Sequence, residues 1–139
     1  MREVRLLGSR AQVFRAEVPQ SRRERMRGWR GRSAVGPNVV LLLDRARSIH
    51  TFGMCLPISI GLLDRELVVR SVRPVKPGRL LLPRLRIRHV LECAQGVDLR
   101  PGDRLRIVRG PEARRAAAIL PGAAPGPGAG CGTDRAPIV

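Results

Sequence analysis

Apolar and polar residues alternate with a period of two along much of this chain, and the alternation predicts strands. In residues 12–18, Phe14, Ala16 and Val18 share one face of an extended segment while Arg15 and Glu17 share the other. That is the pattern of a half-buried strand. Val4-Arg5-Leu6-Leu7 precedes it across Gly8-Ser9-Arg10, so the two segments are predicted to pair as a hairpin. Val39-Val40-Leu41-Leu42-Leu43 is apolar without a break, as expected of a strand covered on both faces. Residues 57–63 read as a further strand, with residues 66–73 as its hairpin partner across Asp64-Arg65. Residues 86–93 and 104–108 complete the strand set, the last with Leu105 and Ile107 inward.

Between these runs, local signals set the boundaries. Pro19 ends a strand, and Ser21 with Glu24 three residues later has the form of a capping box opening a short surface helix, Arg22 to about Arg27, which stops at Gly28. Pro74, Pro77, Gly78 and Pro83 predict an irregular connection without regular elements. Pro101 and Gly102 occupy the central positions of a type II turn. From Gly110 the composition changes. Residues 114–118 are predicted to form at most a transient helical turn, and the Pro, Gly and Ala of 121–132 cannot repay the entropy of ordering. The expected organisation is one strand-rich domain, residues 1–109, followed by a disordered tail, 110–139.

Composition narrows the picture. A chain of 139 residues has room for one domain with a core that needs no metal or disulfide. Aromatic residues make up only 2%, Phe14, Trp29 and Phe52, so the core is expected to be built from Leu, Val and Ile. The interleaved aromatic platforms of specialised single-strand nucleic-acid binders are essentially absent. The three cysteines are an odd number, with Cys131 in the Gly/Pro-rich tail, which argues against a disulfide-stapled scaffold. Charged residues interrupt the first twenty positions, and no later run approaches the roughly 18 apolar residues of a membrane span. A soluble, cytoplasmic protein is therefore expected.

The formal charge of +16 has two readings. Of the 27 basic residues all but Lys76 are arginine, a bias that GC-rich coding produces without selection for polyanions. Residues 1–109 nonetheless carry 24 basic and 9 acidic residues, a net of +15, so the charge belongs to the folded part. Its densest cluster is Arg22, Arg23, Arg25, Arg27, Arg30 and Arg32. These form either a solvated face or a surface for nucleic acid or an acidic protein.

Several motifs stand in a fixed order: Arg25-Met26-Arg27-Gly28-Trp29-Arg30-Gly31-Arg32, Ser48-Ile49-His50-Thr51-Phe52-Gly53-Met54 with Pro57-Ile58, then Val90-Leu91-Glu92, Gly96 and Gly102-Asp103. Together, from about Val13 to Val108, they resemble the domain-of-unknown-function family 192. The resemblance implies a mainly β (α+β) fold, a compact antiparallel barrel-like sheet with one or two short helices, and brings no established activity, cofactor or catalytic residue. Two departures stand out. Ser59 occupies a position where that family usually has Asp, and the segment between Gly96 and Gly102 is shorter than usual.

Among chemistry-bearing side chains, His50, Cys55, His89 and Cys93 lack the spacing of a known zinc pattern, so no metal or cofactor is assigned. A cysteine beside a histidine, oriented by Asp64 or Glu92, would form a nucleophile and base, but strand surroundings favour a buried, inert thiol. In an extended 50–54 segment, His50, Phe52 and Met54 share a face, and Gly53 permits close approach of a ligand or backbone. His50, Thr51, Phe52, Met54 and Glu92 are accordingly the candidate ligand-binding residues. The leading expectation is a non-enzymatic binding or interaction domain. Polyanion binding through the arginine cluster comes second, and a hydrolase or metal-dependent enzyme third.

Overall fold

The structure is a computed structural model, and residues 1–120 are described. Among them the chain forms β1 (Arg2–Gly8), β2 (Val13–Val18), α1 (Arg22–Arg27), β3 (Val39–Leu43), β4 (Ile49–His50), β5 (Ile58–Leu63), β6 (Val69–Val75), β7 (Leu80–Leu81), β8 (His89–Ala94), β9 (Leu105–Val108) and α2 (Gly110–Ile119). Seven strands build one sheet in the order β6-β5-β8-β3-β2-β1-β9, and β4 and β7 pair as a separate ribbon.

The sheet is antiparallel except between β2 and β3. A parallel neighbour requires a crossover, because a tight turn reverses the chain. The segment carrying α1 supplies it, which sets that helix over one face of the sheet. The sheet curls into a half-barrel. At one end its outer strands touch: Val68 bridges Arg104, and the Val69 amide donates to the Asp103 carbonyl at 2.8 Å.

Both faces of the central strands are covered, as the unbroken apolar run of β3 requires. Val40 and Leu42 pack inside the curl with Leu6, Phe14, Leu91 and Leu105. Val39, Leu41 and Leu43 face the other way, with Trp29, Ile58, Ile60 and Val90. The β1–β2 hairpin and the α1 boundaries follow the sequence expectation. The Glu24 amide donates to Ser21 Oγ at 3.1 Å, and no residue of α1 is buried. The Glu24 carboxylate accepts the Gln20 amide at 2.6 Å.

Four expectations are corrected. The proline-marked connection is not wholly irregular: β6 runs through Pro74 to Val75, and β7 lies within it. Pro74 is tolerated because β6 is a sheet edge, where every second N–H points away from the neighbouring strand. In β9, Leu105 is buried on the inner face; Ile107 shares that face, opposite Leu6, but is 40% exposed, and Val108 is buried on the opposite face under α2. The 50–54 segment is not extended, since β4 ends at His50 and a turn follows with Gly53 at φ +74°. Finally, residues 110–119 form a helix where a disordered tail was expected. Pro111 stands at its start, where no backbone N–H is needed. Ala116 is buried against Val13 and Val108, and Arg106 pairs with Glu112. The remainder of the expected tail, 121–139, lies outside the described residues.

Candidate functional site

Three segments remote in sequence meet on the sheet face beneath α1: α1 with the loop to Arg30, β4 with the turn after it, and Glu92 in the middle of β8. They enclose a cavity of about 220 Å3. Arg22, Arg25, Arg27 and Arg30 line it and are exposed, so they form its mouth. Glu92 is only 5% exposed and forms the floor. Ile49, Leu43 and Met54 supply apolar wall between them.

The burial of Glu92 follows from strand order. Its register partners are Leu41 on β3 and Ile60 on β5, so an acid on this face stands in an aliphatic wall. Removal from water penalises the carboxylate, and its pKa is pushed up to about 7. Glu92 Oε2 is buried and has no hydrogen-bond partner. The backbone above it has the conformation that leaves this room. Gly28 ends α1 at φ +46°, and a Cβ there would stand 4.0 Å from Glu92 Oε2 and 3.6 Å from Leu41.

The second wall is built by the turn after β4. The His50 and Phe52 rings stack with centroids 5.1 Å apart. His50 Nδ1, like Glu92 Oε2, is buried without a partner. A Cβ on Gly53 would come within 2.9 Å of Arg30 Nε, so the Arg30 side chain lies against bare backbone there. Thr51 plays a different part. Its hydroxyl donates to the Lys76 carbonyl at 2.7 Å and accepts the Arg79 amide at 2.8 Å, which ties the turn to the connection leading into β7.

The structure thus gathers His50, Phe52, Met54 and Glu92 with Arg22, Arg25, Arg27 and Arg30, and leaves Thr51, Arg23 and Arg32 outside the lining. Arg32 forms a two-point ion pair with Glu17, at 2.8 and 3.1 Å, and its guanidinium lies 5.9 Å from the Trp29 ring centroid. The Trp29 Nε1–H donates to the same Glu17, at 3.1 Å. Among the described residues, by contrast, Arg22, Arg25, Arg27 and Arg30 form no ion pair. Trp29 and Gly28 are wall residues that the sequence offered only as family markers and, for Gly28, as a helix stop. The signal available was a lone tryptophan, next to a helix-ending glycine, in a chain with almost no aromatics.

The other chemistry-bearing side chains lie elsewhere. Asp64 closes its own turn, accepting the Glu66 and Val68 amides and the Arg70 guanidinium. His89 Nδ1 is 2.8 Å from Asp44. Cys93 points into the half-barrel, its thiol pushed up by burial and by the charge of Glu92. Asp103 is taken up by the turn before β9 and by Arg10 and Gln12. Ser59 alternates with Ile58 and Ile60, so it faces away from the cavity. Among the described residues no three His, Cys, Asp or Glu side chains gather as metal ligands, and no helix is long and apolar enough to cross a membrane.

Comparison with known proteins agrees with this architecture. A protein of unknown function from Novosphingobium aromaticivorans is similar with a TM-score of 0.63 and 20% identity, over 75% of this chain and 83% of that one. A putative transcription regulator from Sinorhizobium meliloti is similar with a TM-score of 0.61 and 22% identity, over 76% of this chain and 92% of that one. No curated protein matches. At these identities the likeness concerns the fold. The ordered motifs, from the Arg25 to Arg32 element through the 50–54 turn to Glu92, all fall within residues 4–107, which match the model of DUF192, an uncharacterized ACR; the chain belongs to that family.

Proposed function

We propose that this domain is a non-enzymatic binding module for a small ligand, which occupies the cavity between α1, the 50–54 turn and β8. The observation that carries the reading is the pair of buried, unpartnered polar atoms, Glu92 Oε2 and His50 Nδ1, on the lining of one cavity. An unpaired buried polar group costs about 1–3 kcal/mol, so native structures retain few of them. Two at one cavity are accounted for by a guest that supplies the missing hydrogen bonds. The volume of about 220 Å3 lies below the range of drug-sized pockets and fits a small metabolite.

Trp29, the only tryptophan, lines the cavity and reports on its occupancy. A thermal-shift screen of metabolites, followed by Trp29 fluorescence titration, tests the proposal. Stabilising compounds should perturb the emission, and the Glu92→Leu variant, which fills the floor with an apolar side chain, should no longer bind them. The reading fails if no compound stabilises the protein, or if those that do bind Glu92→Leu with unchanged affinity.

A second reading, nucleic-acid or acidic-protein binding through α1, is favoured by the unpaired arginines at the mouth. It requires affinity that falls steeply with salt and with replacement of Arg25, Arg27 and Arg30 by Gln. It gives no role to Glu92 or His50, and for that reason ranks second.

A further inference from the structure

We infer that the ligand of this cavity is a small hydroxylated organic anion, a carboxylate or phosphate monoester, whose anionic group is held by Arg25 and Arg30 and whose hydroxyl is held by Glu92 and His50. The inference rests on the binding reading above and adds the chemistry of the occupant.

The two ends of the cavity call for different groups. At the mouth, Arg22, Arg25, Arg27 and Arg30 crowd together with no ion pair among the described residues, and Glu92 is the only acidic side chain in the lining. Such a mouth attracts an anion and repels a cation. Guanidinium groups suit carboxylate and phosphate oxygens because their donors are set in a planar fork. Arg30 is further steadied by lying against the bare backbone of Gly53.

At the floor the requirement reverses. A second anion beside Glu92 would meet a like charge in a dry, aliphatic setting, and a cation would have to pass the arginines. The group left is neutral, and it must pair with both a carboxyl and an imidazole nitrogen. A hydroxyl both donates and accepts, so it serves Glu92 in either protonation state. Gly28, without a side chain, leaves open the space beside Glu92 Oε2. Between the two ends, Ile49, Leu43 and Met54 suit a short carbon chain.

Alternatives of different chemistry fail at one end. Inorganic phosphate leaves the floor unpaired, a diol leaves the arginines unpaired, and a nucleic-acid backbone does not reach a floor that is 5% exposed.

The test uses five probes on the full chain, followed by Trp29 fluorescence and thermal shift: 3-hydroxybutyrate and glycerol 3-phosphate as the two anion types, butyrate without the hydroxyl, butane-1,3-diol without the anion, and inorganic phosphate. One or both hydroxylated anions should bind, and the better one at least about tenfold more tightly than any of the last three, since each lost charged or polar contact weakens affinity by about that factor. The Arg25→Gln/Arg30→Gln variant should lose about a hundredfold for the hydroxylated anion, roughly tenfold for each arginine, and nothing for the diol, while Glu92→Gln should reduce the preference for hydroxylated over plain anions. The inference is overturned if the diol binds as tightly as the hydroxylated anions, if inorganic phosphate binds equally well with no response to Glu92→Gln, or if none of the five binds. Diol binding that depends on Glu92, without anion binding, would sink this inference and leave the binding reading standing. Binding of butyrate or phosphate alone, insensitive to Glu92, would refute both.

Discussion

Glu92→Gln should make the protein more stable at pH 8 and flatten its dependence on pH. In the folded chain the carboxyl faces Leu41 and Ile60 across the sheet, with Arg22, Arg25, Arg27, Arg30 and His50 around the same cavity and Cys93 beside it in sequence. Burial raises its pKa from the ordinary 4.5 to about 7. The folded state therefore holds a proton that the unfolded state has released between those two values. Stability associated with this group is complete below about pH 4.5, declines as pH rises, and is fully lost above about pH 7. At 1.36 kcal/mol for each pH unit, the gap amounts to about 3 kcal/mol. Glutamine keeps the shape and does not ionise but buries an amide whose N–H is unpaired, so the variant should be about 1 kcal/mol less stable than wild type at pH 4.5 and about 2 kcal/mol more stable at pH 8. Urea unfolding of both proteins across pH 4.5–8 measures it, with Glu66→Gln on the surface as a control that keeps the wild-type slope. Equal pH slopes for wild type and Glu92→Gln would refute the account of a desolvated carboxyl at the cavity floor.

Other substitutions probe the parts that hold the site. Gly53→Ala places a side chain at φ +74° and 2.9 Å from Arg30 Nε, so it should cost about 1–2 kcal/mol in denaturant unfolding and weaken anion binding by displacing Arg30. Trp29→Ala empties a site that is 1% exposed and should cost about 3–5 kcal/mol, measured by thermal unfolding. Asp103, held below the usual carboxylate range first by Arg10 and then by the Arg100 amide and Gln12, contributes stability that is present above about pH 4 and lost as pH falls through its depressed pKa. Asp103→Asn should therefore lower stability at pH 7 by about 1–3 kcal/mol and weaken the acid limb of the profile. Ala116→Asp should cost about 2 kcal/mol if α2 packs on Val13 and Val108, and nothing if that segment is unstructured, which circular dichroism melts distinguish.

Much of the framework was legible because its signals are local. Period-two alternation located β1 and β2, the unbroken apolar run located β3 and its double burial, Ser21 and Gly28 bounded α1, and Pro101-Gly102 marked the turn before β9. The order of short motifs was enough to indicate the family. Residues 110–119 were misjudged because a composition dominated by the Pro, Gly and Ala further along concealed a helix whose Ala116 has somewhere to pack. Alternation put Ile107 on the face it does take, with Leu6 and Leu105, but β9 is the last strand of the sheet, where burial is decided by what covers the edge, and Ile107 is left exposed.

The cavity was decided by tertiary structure. Sequence grouped His50, Thr51, Phe52, Met54 and Glu92 as candidate ligand-binding residues and assigned the arginines to a different function. Strand pairing is non-local: only the placement of β8 between β3 and β5, and the crossover that lays α1 over that face, bring Arg25, Gly28, His50 and Glu92 together. The same placement turns an ordinary glutamate in an alternating strand into a desolvated acid, because alternation fixes which side a residue faces but not whether water reaches it.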